Sequence, residues 1–61
     1  MPIIEIKLWE GRDREQKAEM ARRITDAVAE VGKTAPENVQ IIFSDYSRSD
    51  WAIAGLLQDE E

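Results

Sequence analysis

From Ile3 to Leu8 the chain alternates: Ile4, Ile6 and Leu8 share one parity while Glu5 and Lys7 take the other. A period of two predicts a strand with one face buried. Pro2 stands just ahead with the parity of Ile4, at the first strand position, where a missing N–H does not interrupt a ladder. Glu10-Gly11-Arg12-Asp13 reads as a turn leading into a helix, with Asp13 as N-cap and Gln16 completing a capping-box pattern. From Arg14 onward Ala18, Met20, Ala21, Ile24, Ala27, Val28 and Val31 recur at spacings of three and four. That spacing predicts an amphipathic helix of about five turns, ended by Gly32 in the C′ position.

Lys33 to Asn38 is a connector, because Pro36 cannot continue a helix and drives Ala35 toward an extended conformation. Val39 to Ser44 is a second strand, with Val39, Ile41 and Phe43 on one face and Gln40, Ile42 and Ser44 on the other. Strand, crossover helix and strand make a β-α-β unit with parallel strands and a right-handed crossover. The fold class is therefore α/β (α+β). Asp45 to Asp50 is polar and turn-like, with room for a short helical turn. Trp51 to Leu57 is apolar again and too short for a second core, so it is expected to form a hairpin or arm laid on a neighbouring subunit.

Length changes the picture next. Sixty-one residues are expected to make one domain, 1–61, and a chain this short gains little more from burial than it loses in conformational entropy. With no cysteine and no histidine, disulfides are excluded and a zinc or haem site is not expected. Homo-oligomerisation is the remaining source of stability. A net charge of -5 argues against nucleic acid, which is bound through clustered Lys and Arg. No apolar run reaches the length of a membrane span and no signal peptide opens the sequence, so a cytoplasmic location is expected.

The candidate chemistry begins at Pro2. Removal of Met1 would turn Pro2 into a secondary amine fixed by its ring and its strand. An ordinary α-amino group titrates near ~7.7–8.0; apolar neighbours or a nearby cation disfavour its charged form and make it a better base at neutral pH. Arg12 can grip a carboxylate through two parallel hydrogen bonds, or be a solvated charge in a turn. Trp51 can wall a site, or be an interface residue. Lys7, Arg22-Arg23 and the terminal acids read as solvated faces, and Tyr46 is either an acid or a rim residue.

Taken together, Pro2, Glu10-Gly11-Arg12, Glu15-Gln16-Lys17, Ala35-Pro36 and Trp51-Ala52-Ile53-Ala54-Gly55 resemble 4-oxalocrotonate tautomerase and its small relatives over nearly the whole chain. The resemblance implies a β-α-β tautomerase fold, usually a hexamer built as a trimer of dimers, working without cofactor or metal on a small unsaturated carboxylic acid. It implies that Pro2 is the general base, that Arg12 binds a substrate carboxylate, and that Trp51 stands where the family has a phenylalanine. The family's second arginine aligns with Gln40, a neutral donor worth roughly half a charge-assisted one. Arg48 is either a substitute for that cation or a surface charge. The activity implied is keto-enol tautomerisation of a 2-hydroxydienoate or 2-oxo acid such as 2-hydroxymuconate. Hydration or dehalogenation of unsaturated acids, and ligand binding without catalysis, are the alternatives.

Overall fold

The computed structural model describes residues 1–60. β1 (Ile3–Trp9) is followed by α1 (Arg14–Gly32), β2 (Gln40–Tyr46), and a short hairpin of β3 (Ala52–Ile53) and β4 (Leu56–Leu57). β1 and β2 pair in parallel with Ile4 opposite Ile41, Ile6 opposite Phe43 and Leu8 opposite Asp45. The two alternating patterns thus fall on one common face of the sheet. α1 lies over that face, as the ion pair from Lys17 Nζ on the helix to Asp45 Oδ2 on β2 at 2.6 Å shows. β2 runs two residues further than the alternation predicts, ending at Tyr46 rather than Ser44, and it begins at Gln40 rather than Val39.

The helix start is as its sequence requires. The Asp13 side chain accepts a hydrogen bond from the Gln16 backbone N–H at 2.8 Å, and Gln16 Oε1 accepts from the Asp13 N–H at 3.1 Å. The helix end is displaced from expectation. Gly32 is still helical and Lys33 takes the left-handed conformation, at φ 56°. Val31 lies on the apolar stripe yet is 80% exposed. Nineteen helical residues span about 28 Å, and seven strand residues about 23 Å, so the last helical turn overhangs the sheet.

A single 3-10 turn at Pro36–Asn38 fills the connector, with Ala35 extended ahead of the proline. A second, Arg48–Asp50, is capped by the Ser47 hydroxyl, which accepts from the Ser49 N–H at 3.2 Å. β3 and β4 pair antiparallel around Ala54-Gly55, both at positive φ (53° and 82°). That combination is the mirror-image turn whose twist suits a tight hairpin, and Ala54 takes it without the glycine or asparagine that accepts it most easily. The bond from Gln58 N–H to Trp51 C=O at 2.9 Å closes the arm.

Among the described residues none is fully buried. The helix covers one face of a two-stranded sheet. The opposite face carries Ile3 and Ile42, 58% and 47% exposed, and the arm exposes Ile53, Leu56 and Leu57. Both long strands have a free edge. No helix among the described residues is long and apolar enough to cross a membrane.

Candidate active site

Parallel pairing decides where each candidate residue goes. Pro2 and Gln40 stand at the starts of neighbouring strands, and the Gln40 N–H donates to the Pro2 C=O at 3.0 Å. The Gln40 side-chain amide donates to Met1 Sδ at 3.2 Å, so it lies beside the group that blocks the Pro2 nitrogen. Pro2 is half-buried and Gln40 exposed.

Arg12, Arg48 and Trp51 lie at the other end. β1 carries the chain about 23 Å from Pro2 to Trp9. Glu10 adds one more ladder bond, its N–H donating to the Tyr46 C=O at 2.9 Å, before Gly11 turns the backbone at φ 132°. A Cβ on Gly11 would meet no atom within 4 Å; the glycine serves a backbone conformation that other residues rarely adopt. Arg12 follows directly. There an open cleft of about 360 Å³ is lined by Lys7, Leu8, Trp9, Arg12, Trp51 and Ile53.

The cleft wall is aromatic. Trp9 and Trp51 meet edge to face with ring centroids 5.8 Å apart and planes at 79°, and Tyr46 meets Trp51 at 5.8 Å and 69°. Such pairs add about 0.5–1.5 kcal/mol to the area they bury. The Arg48 guanidinium carbon lies 4.3 Å from the Trp9 ring centroid, within cation–π range. The Trp9 indole N–H is enclosed and has no acceptor among the described residues. Neither Arg12 nor Arg48 has a carboxylate within ion-pair distance among the described residues, whereas Lys17, Arg22 and Arg23 do.

The candidate residues therefore gather at opposite ends of the sheet: Pro2 with Gln40 at one, and Arg12, Trp51 and Arg48 at the other. Trp9 and Lys7, both lining the cleft, are residues that strand alternation does not single out: Lys7 reads as a solvated charge, and Trp9 falls just past the alternating run. Tyr46 proves to be part of the aromatic wall.

A parallel β-α-β chain with a C-terminal antiparallel hairpin is the fold this chain shares with solved 4-oxalocrotonate tautomerases and their homologues. A family model described as tautomerase enzyme matches residues 2–59. The chain belongs to the tautomerase family, and with it to proteins of tautomerase-type function. It is 39% identical over 61 residues to a probable tautomerase of Ralstonia nicotianae, covering 100% of this chain and 94% of that one. It is 40% identical over 60 residues to a probable tautomerase of Streptococcus pyogenes, with 98% of each covered. Among solved structures, a heterohexamer 4-oxalocrotonate tautomerase from Chloroflexus aurantiacus superposes with a TM-score of 0.92 at 32% identity, covering 98% of this chain and 97% of that chain.

Proposed function

We propose that the protein is a cofactor-independent keto-enol tautomerase of a 2-hydroxydienoic or 2-oxo acid, with Pro2 as general base after removal of Met1. The observation that carries this reading is the division of the site. Pro2 and Gln40 lie at the start of the sheet, Arg12 and Trp51 lie beyond the far end of β1, a strand about 23 Å long, and the outer edge of β1 is unpaired. Two copies joined edge to edge along β1 about a two-fold axis run antiparallel, which sets the Pro2 end of each against the Trp9–Arg12 end of the other. The Chloroflexus relative is hexameric; a homo-hexamer built as a trimer of dimers would use the remaining apolar face and the hairpin arm as further contacts.

In such a site Arg12 holds the substrate carboxylate through two parallel hydrogen bonds. The neutral Pro2 nitrogen takes the proton of the 2-hydroxyl, the oxygen's electrons form the C2 carbonyl, the double bond shifts along the chain, and the prolinium returns a proton to carbon. Nothing is consumed, and proton inventory and charge are restored at the end of the cycle. Trp51 and Trp9 keep water from the amine, which favours its uncharged form. Loss of Met1 also frees the Gln40 amide, whose side-chain contact is Met1 Sδ.

The test is the ultraviolet-monitored ketonisation of 2-hydroxymuconate by protein whose N-terminus is established by intact mass. Wild-type protein lacking Met1 is expected to accelerate the reaction, and Pro2→Ala to lose at least about a hundredfold, the usual scale of a positioned base. Equal rates in both proteins would sink the proline mechanism.

A further inference from the structure

Resting on that reading, we infer that Arg48, stacked on Trp9, is a second anion-binding residue beside Arg12, so that the site holds its substrate's charge at one end and meets an uncharged end at Gln40. Stacking covers a face of the guanidinium and leaves its in-plane N–H groups to an acceptor. Arg48 lies 4.3 Å from the ring that lines the cleft and has no carboxylate partner among the described residues. In a chain with 13 acidic residues against 8 basic ones, two guanidiniums left unpaired at one aromatic wall form a receptor for an anion. Arg12 follows β1 and lines the cleft with Trp9; Arg48 follows β2 and reaches the same Trp9 ring, which edge-to-face contacts join to Trp51 and Tyr46.

The other end offers no such charge from its own strands. Beside Pro2 the side chain that begins β2 is Gln40, which brings an amide to whatever oxygen it meets. A second substrate carboxylate placed there would lose its water for a neutral donor, an unfavourable exchange for a charged group. The charge distribution thus favours 2-hydroxydienoic monocarboxylates, whose chain ends in an uncharged carbon, over the corresponding dicarboxylates.

Two acids sharing one reactive unit, 2-hydroxy-2,4-pentadienoate and 2-hydroxymuconate, provide the comparison. Wild-type protein is expected to give the monocarboxylate a kcat/KM at least equal to that of the dicarboxylate. Arg48→Ala should raise KM about tenfold for both with kcat little altered, and Arg48→Lys should recover only part of the loss because it lacks the planar fork. Gln40→Arg should shift the ratio about tenfold toward the dicarboxylate. A wild-type preference for the dicarboxylate of tenfold or more, or an Arg48→Ala protein with unaltered KM, would overturn the inference. If no turnover occurs, tryptophan fluorescence reports binding of pentanoate and adipate instead. Weaker pentanoate binding in Arg48→Ala and no adipate preference in wild type would support the anchor even with the catalytic reading lost. Tenfold tighter adipate, or no effect of the substitution, would end it.

Discussion

At the scale of the single residue, the end of α1 shows how a correct element can conceal a misplaced boundary. Gly32 is the glycine a sequence reading assigns to the C′ position, yet the left-handed residue is Lys33 at φ 56°. Its N–H donates to the Ala29 carbonyl, and that of Thr34 reaches the same oxygen at 3.2 Å. Local pattern places a helix end only to within a residue or two, and the helical stretch here takes in the glycine before turning. Left-handed conformations are costly for a residue with a Cβ. Lys33→Gly is therefore expected to stabilise the protein by about 0.5–1 kcal/mol, read as a shift of the urea midpoint at constant slope. No gain would mean that the lysine side chain makes a compensating contact. Pro2, Arg12 and Trp51 are legible as candidates because each is chemically distinctive, whereas Gln40 and Arg48 are reached only through the family resemblance. Trp9 is not legible, because an aromatic residue at a strand end has the same sequence signature whether it fills a core or walls a cleft.

At the scale of elements, the helix, the parallel strands and the hairpin follow from periodicity, capping and connection rules. The separation of Pro2 from Arg12 follows from the same elements, since a strand that runs from one to the other fixes them at opposite ends. The exposed side of α1 carries its own charge pattern: Glu19 accepts from both Arg22 and Arg23, the latter at 2.6 Å. The hydrogen bond from Arg23, then that from Arg22, holds the Glu19 carboxyl below its ordinary value. A carboxyl depressed in the folded state contributes stability that is fully present above its unfolded pKa, near ~4.3, and lost as pH falls through the folded value. Thermal unfolding followed from pH 7 down to pH 3 should show a steeper loss of Tm in wild type than in Glu19→Gln. Parallel curves would mean that solvent screens these surface pairs completely.

At the scale of the whole molecule, an unfinished core and a divided site have one explanation. A chain whose described residues are all at least partly exposed, with free edges on both long strands and an uncovered sheet face bearing Ile3 and Ile42, is proposed to gain its missing burial from copies of itself, apolar area being worth roughly 25 cal/mol per Å² removed from water. If β1 edges join about a two-fold axis, each site takes Pro2 from one subunit and Arg12 from the other. Pro2→Ala and Arg12→Ala proteins, each impaired alone, can be co-expressed with different tags and the mixed oligomer isolated. In a mixed pair one site carries both lesions and the other carries neither, so random assembly should return about a quarter of wild-type activity before fractionation, and an isolated mixed pair about half, at low substrate concentration. A site built within one chain would give only the mean of the two parents. Recovery above that mean would tie the oligomer to the chemistry, because the two substitutions complement each other only across a shared boundary.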